Sequence, residues 1–263
     1  MRRYDFEISG KKFESGTHVM GILNATPDSF FAESRIGDNA VKRAVEMLSA
    51  GAEVIDIGGQ STRPNSSPVS AIEELSRVLP AVEAVRAECK DALISVDTFY
   101  PEVAEAVLQA GADMINDVSG LEYPELAHIV ASYGASICVM HNRRKSKTAD
   151  LFLDKQVGLA KMTKELISAG VSKNKILLDG GIGFNKSNVE DWELLKNYDN
   201  LLDYFDDYPF LLGTSRKSMF GGEVETRLSA TLDSTALAVK QGVLFVRVHD
   251  VKENKLVIDK FVQ

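Results

Sequence analysis

The stretch Pro101-Glu-Val-Ala-Glu-Ala-Val-Leu-Gln-Ala-Gly-Ala-Asp-Met-Ile-Asn-Asp117 holds the unit from which the fold can be read. Its first ten residues place Val103, Ala106, Val107 and Ala110 at helical spacing, which lays an apolar stripe along one face. Gly111 follows, where a chain leaving a helix needs the left-handed conformation that glycine adopts without strain. Ala112-Asp113 leads straight into the apolar pair Met114-Ile115, and that pair ends in polar Asn116-Asp117. The same order of helix, glycine stop, short apolar strand and polar tip recurs along the chain.

Working outward, apolar runs fall at 19–23, 54–57, 93–96, 114–115, 136–140, 176–178, 210–212 and 244–248. Helical stretches fall at 38–50, 71–88, 101–110, 124–133, 151–169, 188–204 and 228–241, with a last short one near 252–261. Gly51, Gly134, Gly170 and Gly242 each close a helical stretch as Gly111 does. Strands that are apolar throughout and alternate with helices make a parallel sheet covered by those helices. Eight such units predict a closed (β/α)8 TIM barrel. The alternative is an open doubly wound sheet, but no G-x-G-x-x-G phrase follows the first strand, as that fold would favour. The 263 residues match the usual barrel length of about 250. Residues 4–16 read as a β-hairpin, with Phe6, Ile8 and Phe13 flanking a Ser9-Gly10-Lys11 turn. No linker or low-complexity tract divides the chain, so 1–263 is expected to be one domain: a hairpin over 1–16 and a barrel over 17–263.

Composition narrows the function. A net charge of −8 argues against a nucleic-acid binder, which is normally basic. No run reaches the ~20 apolar residues of a membrane span, and the N-terminus lacks the apolar stretch of a signal peptide. The two cysteines, Cys89 and Cys138, form no CxxC or Cys/His metal spacing. A reduced, cytoplasmic setting is expected.

Barrel enzymes place their chemistry at the C-terminal ends of the strands. Those ends carry Asn24, Asp56, Asp97, Asn116 with Asp117, His141, Asp179, Lys217 just past the seventh, and Arg247 with His249. A buried carboxylate without a partner is costly, so partners in the protein or in a ligand are expected. Asp97, Asn116 and Asp179 suit the N–H and ring-nitrogen edge of a flat heterocycle. Lys217, Arg247, His249 and Arg63 suit a phosphate or diphosphate. His141 reads equally as a ligand contact or a satisfied core histidine. The run Arg143-Arg144-Lys145 reads as a solvated loop, and Trp192 and Tyr198 as core or interface residues.

At these positions the sequence resembles the dihydropteroate synthase family of pterin-binding barrel enzymes. Met20-Gly-Ile-Leu-Asn-Ala-Thr-Pro-Asp-Ser-Phe30 is similar to the first signature of that family, and Asp56-Ile-Gly-Gly-Gln-Ser-Thr-Arg-Pro64 to the second. Ser95-Val-Asp-Thr98, Asn116-Asp-Val-Ser-Gly120, Met140-His141, Asp179-Gly-Gly-Ile-Gly-Phe184, Gly213-Thr-Ser-Arg-Lys-Ser218 and Arg247-Val-His-Asp-Val251 follow in the family's order. The resemblance implies a transferase joining 6-hydroxymethyl-7,8-dihydropterin diphosphate to p-aminobenzoate, with diphosphate leaving first. It implies that Asp97, Asn116, Asp179 and Lys217 hold the pterin, and that Asn24 binds Mg2+ with the diphosphate. Arg247 and His249 would clamp the diphosphate. Thr62 and Arg63 would lie in a second loop, Phe30 in a first loop enclosing p-aminobenzoate, and Ser218 at a helix start facing its carboxylate. Asp97, Asp179, Lys217 and Arg63 would be the catalytic set. A homodimer is the common assembly of the family. The departures are Ala32 where Asp is usual, with Glu33 beside it, Gln60 for Glu, Asn142-Arg143 after the fifth strand and Gly180 for Pro. A pterin- or folate-binding paralogue, such as a methyltransferase-type domain or a sensor, is the competing function. It would not need the cations Ser215-Arg216-Lys217 and Arg247-Val-His249 supply.

Overall fold

Strands buried on both faces can satisfy their backbone groups only by pairing with strands on either side, and eight of them do so by closing on themselves. The computed structural model describes residues 2–25, 36–60, 69–143 and 148–262. Two short strands, β1 (Glu7–Ile8) and β2 (Lys11–Lys12), form the hairpin. Its turn residues Ser9 and Gly10 both have positive φ, 46° and 80°, as a tight hairpin turn requires. The barrel strands are β3 (His18–Asn24), β4 (Val54–Gly58), β5 (Leu93–Asp97), β6 (Met114–Asp117), β7 (Ser136–Met140), β8 (Ile176–Asp179), β9 (Phe210–Leu212) and β10 (Phe245–Val248). They are parallel and close in the order β10-β3-β4-β5-β6-β7-β8-β9. The expected TIM barrel is the observed fold.

The outer layer is α1 (Ile36–Ser49), α2 (Ala71–Glu88), α3 (Pro101–Gln109), α4 (Glu125–Tyr133), α5 (Leu151–Ser168), α6 (Asn188–Lys196), α7 (Asp199–Tyr204), α8 (Leu228–Gln241) and α9 (Val251–Val262). A large apolar cluster lies between helices and strands. A smaller one joins the hairpin's Phe6, Ile8 and Phe13 to interior residues Met20, Val54, Leu211 and Phe245 at the lower end of the barrel. No helix among the described residues is long and apolar enough to cross a membrane.

Two expectations need correction. The strands run on into their polar tips, so Asp97, Asn116, Asp117 and Asp179 belong to the ladder. Backbone pairing continues regardless of side-chain polarity. The stretch 188–204 is two helices rather than one. The first ends where Asn197 donates its backbone N–H to Glu193 O, and Tyr198 turns inward to full burial, edge-on to Phe210 with ring centroids 5.8 Å apart.

Candidate active site

The register brings the acidic and amide tips side by side: Gly58 pairs Asp97, and Asp97 pairs Asn116. Arg247, two residues along β10 from Phe245, crosses the mouth to reach them. Its Nε donates to Asp56 Oδ2 at 2.5 Å and its Nη2 to Asp97 Oδ2 at 2.7 Å. Asn116 Nδ2 also donates to Asp56 Oδ2, at 3.1 Å. Asp56 is fully buried and its Oδ1 has no hydrogen-bond partner. Burial pushes the Asp97 carboxyl up to about 7, against the pull of Arg247 and with the push of Asp56. Burial works against the Arg247 charge too, but Asp56 and Asp97 outweigh it and hold the guanidinium above its ordinary range. This cluster is a buried network in which each charge depends on its neighbours.

The second part of the site is built on the glycine turn after β8. Asp179 Oδ1 accepts from Gly181 N at 2.7 Å. Lys217 donates to Ile182 O and stands 4.6 Å from the Phe184 ring centroid. Lys186 donates to Gly181 O and to Phe184 O. Burial raises the Asp179 carboxyl, with Lys217 opposing. Burial also lowers the Lys217 ammonium to about 8, with Asp179 opposing. A buried acid and a partly buried base thus face one another across a turn whose carbonyls the lysines hold. His249 Nδ1 lies 3.0 Å from Ser215 Oγ, which also accepts from the His249 backbone N–H. Asn24 ends β3 exposed at the mouth. Phe30, Thr62, Arg63, Ala32 and Glu33 lie outside the described residues, as do Arg144 and Lys145.

Several expectations shift here. Ser218 opens only a three-residue 3-10 turn, Ser218–Phe220, not a helix with a full set of free N–H groups. Arg216 is taken up by the protein itself and forks onto Asp250, its Nε 2.9 Å from Oδ2. Arg143 is no solvated charge: it bonds Glu190 and lies 3.2 Å from Asp154. His141 is bonded inside the protein, its Nδ1 3.1 Å from Lys155 Nζ, which favours the core reading. Asp117 organises its own loop by accepting from Ser119 N and Leu121 N. The departures at 60 and 142 also find partners. Gln60 Nε2 donates to Glu74 Oε2 at 2.6 Å, and Asn142 Nδ2 donates to Ser119 O at 2.5 Å.

Sequence reading gave no role to four residues that shape this site: Asp56, Glu74, Lys186 and Ser215. Asp56 and Ser215 lie inside the quoted phrases and carried a signal. Glu74 acts on a residue that the strand-to-helix turn brings to it, while Lys186 folds back onto carbonyls of its own turn. A groove of about 500 Å3, lined by Leu121, His128, Lys161 and Lys164 among others, lies between α4 and α5 on the outside of the barrel, away from these groups.

The family model described as "Pterin binding enzyme" matches residues 20–249. The dihydropteroate synthase of Clostridium beijerinckii is 41% identical over 258 residues, covering 94% of this chain and 95% of that protein. The dihydropteroate synthase of Clostridium difficile, solved in the presence of pteroic acid, superposes with a TM-score of 0.88 at 38% identity, over 97% of both chains. That of Xanthomonas albilineans, solved with 4-aminobenzoic acid, gives 0.90 at 32% identity, over 99% of this chain and 97% of the other. The chain belongs to the pterin-binding enzyme family, the family of the dihydropteroate synthases.

Proposed function

We propose that the chain is a dihydropteroate synthase, condensing 6-hydroxymethyl-7,8-dihydropterin diphosphate with p-aminobenzoate to give 7,8-dihydropteroate and diphosphate. One observation carries the reading at the site: Arg247 lies on Asp97 at 2.7 Å, so a cation and a heterocycle-binding carboxylate share one mouth. Asp97, Asn116 and Asp179 bind the aminopyrimidinone edge, and Lys217 lies over the ring beside Asp179. Arg247 and His249 hold the diphosphate, with Arg63 and Thr62 from the second loop. Phe30 and Ser218 face p-aminobenzoate. Binding the diphosphate draws Arg247 partly off its carboxylates, which couples the two halves of the substrate.

An aniline nitrogen is neutral at pH 7 and needs no strong base, so the leaving group sets the barrier. Cations beside the diphosphate neutralise the charge that builds on it. Asp97 and Asp179 face the positive charge that develops on the pterin methylene, and a dissociative route follows. Among the described residues no group of three His, Cys, Asp or Glu side chains forms a metal cluster. A hard amide oxygen at Asn24 suits Mg2+, which takes most of its ligands from phosphate and water. When bound with the diphosphate, Mg2+ supplies further charge neutralisation on the departing group. The reading includes a cytoplasmic location, which the two free cysteines support, and a homodimer formed through outer helices, testable by light scattering.

The direct test mixes purified protein, Mg2+, pterin diphosphate and p-aminobenzoate, and follows diphosphate release and dihydropteroate together. Equal amounts of both products are expected. Pterin binding without turnover would instead identify a pterin-binding paralogue.

A further inference from the structure

Parallel ladders repeat every two residues. Between β8 and β9, Leu178 N donates to Pro209 O at 3.0 Å. The next rung in that series joins Gly180 N–H to Leu211 O. It is not made directly, because the Tyr198 hydroxyl is inserted into it. Gly180 N donates to Tyr198 Oη at 2.8 Å, and Tyr198 Oη donates to Leu211 O at 2.8 Å. Tyr198 is fully buried at the break between α6 and α7. Burial, and then the nearby Asp179 charge, keeps its phenol protonated far above the ordinary range, so it stays a donor.

Residue 180 is fitted to this arrangement. A Cβ there would stand 2.7 Å from Tyr198 Cε2 and 3.1 Å from Oη. Any side chain would therefore push the ring out, and proline would also remove the N–H that the hydroxyl accepts from. Glycine at 180, where the family commonly has proline, and tyrosine at 198 are parts of one device. It sits on the peptide that follows Asp179, on the side opposite His141, whose backbone N–H donates to Asp179 O at 3.1 Å.

We infer that Tyr198 is a positioning residue for pterin binding: its hydroxyl holds β8 and β9 one phenol oxygen apart at the mouth and so fixes where Asp179 presents its carboxylate. The inference rests on the synthase reading, in which Asp179 binds the pterin. Tyr198 touches no substrate and acts through the backbone at 180.

The experiment titrates 6-hydroxymethyl-7,8-dihydropterin diphosphate into wild type, Tyr198→Phe, Gly180→Ala and the double variant, and measures KM for each substrate. Tyr198→Phe keeps the ring and loses the bridge. It is expected to weaken pterin diphosphate binding roughly tenfold, on the scale of the two buried hydrogen bonds lost, with KM for p-aminobenzoate unchanged. Gly180→Ala, which displaces the ring, should show the same loss. The double variant should lose no more than either single, because the two changes break one bridge. Wild-type affinity in Tyr198→Phe, equal losses for both substrates, or additive losses in the double variant would each overturn the inference. If Tyr198→Phe does not fold, wild-type affinity in Gly180→Ala would overturn it too. A wild-type protein that fails to bind the pterin at all would remove the synthase reading instead.

Discussion

Arg247 is the residue on which the mouth depends electrostatically. Asp56 and Asp97 are 0% and 5% exposed, and among the described residues the guanidinium is the cation that reaches both. Removing one partner of a buried charge set leaves the others uncompensated, at a cost of about 3–5 kcal/mol. Arg247→Ala is therefore expected to destabilise the protein by about that amount and to abolish pterin diphosphate binding, measured by urea unfolding and by titration. Unchanged stability would mean that Arg247, Asp56 and Asp97 do not act as a unit. Asp97, Asn116, Asp179 and Arg247 stood out in the sequence because each lies at or beside the C-terminal end of an apolar run, where a polar residue needs a reason. Gln60 did not, because its partner Glu74 lies on α2, 14 residues on, and only the strand-to-helix turn brings them together. Read alone, Gln60 was a lost charge near a loop. Placed in the fold, it donates to one oxygen of a carboxylate that burial pushes up to about 7. The sign of a test follows. A carboxyl raised above its unfolded value costs stability as pH climbs from the unfolded value through the folded one. Gln60→Glu sets a second carboxylate against Glu74, so the variant should lose about 2–3 kcal/mol at pH 8 and little at pH 5, where one proton can be shared. Thermal unfolding at the two pH values decides it, and an equal loss at both would show that charge is not the cause.

At the scale of elements, the turn after β8 is heavily tied. Lys186 and Lys217 donate to carbonyls within it, while Lys155, fully buried on α5, donates to His141 O at 2.7 Å behind it. Periodicity could place β8 and α5 but could not reveal this, since lysines on helices and loops normally read as solvated charge. The break at 197–198 was invisible for a related reason. Helical spacing continues through it, and what ends α6 is the burial of one ring against β9. The same turn sets a pH limit. Burial lowers the Lys217 ammonium to about 8, so in the free enzyme it loses its proton as pH rises through that value. A neutral Lys217 holds an anionic substrate less well. The ratio kcat/KM for pterin diphosphate reports free-enzyme groups, and it is expected to fall above about pH 8. Lys217→Ala should show a lower ratio, reduced more than tenfold, with that alkaline limb gone. A variant that kept the limb would assign the titration to another group.

The whole molecule divides its labour along the barrel axis. Arg247 and Asp179 lie at the C-terminal ends of the strands, while the hairpin seals the opposite end with aromatic rings. Phe13 lies 5.0 Å from Phe245 and 6.3 Å from Phe6, centroid to centroid, and all three are buried. The eight strands and the hairpin were both legible, because apolar runs and a Ser-Gly turn are local signals. That they share one core was not, since Phe6 and Phe245 are far apart in the chain. A shared core has a thermodynamic consequence: the hairpin cannot leave without opening the barrel floor, so 1–16 and 17–263 should unfold in one step, as a single domain does. Phe13→Ala removes the ring at the centre of that floor, and deleting a buried phenylalanine costs about 3–5 kcal/mol. The variant is expected to show one urea transition, shifted to lower concentration, with kcat and both KM values unchanged under conditions where it is fully folded. Stability and activity are expected to separate because Phe13 and the polar strand tips lie at opposite ends of the barrel. Two transitions would make the hairpin an independent appendage, and an altered KM in the folded variant would mean that packing at the floor is transmitted along β10 from Phe245 to Arg247.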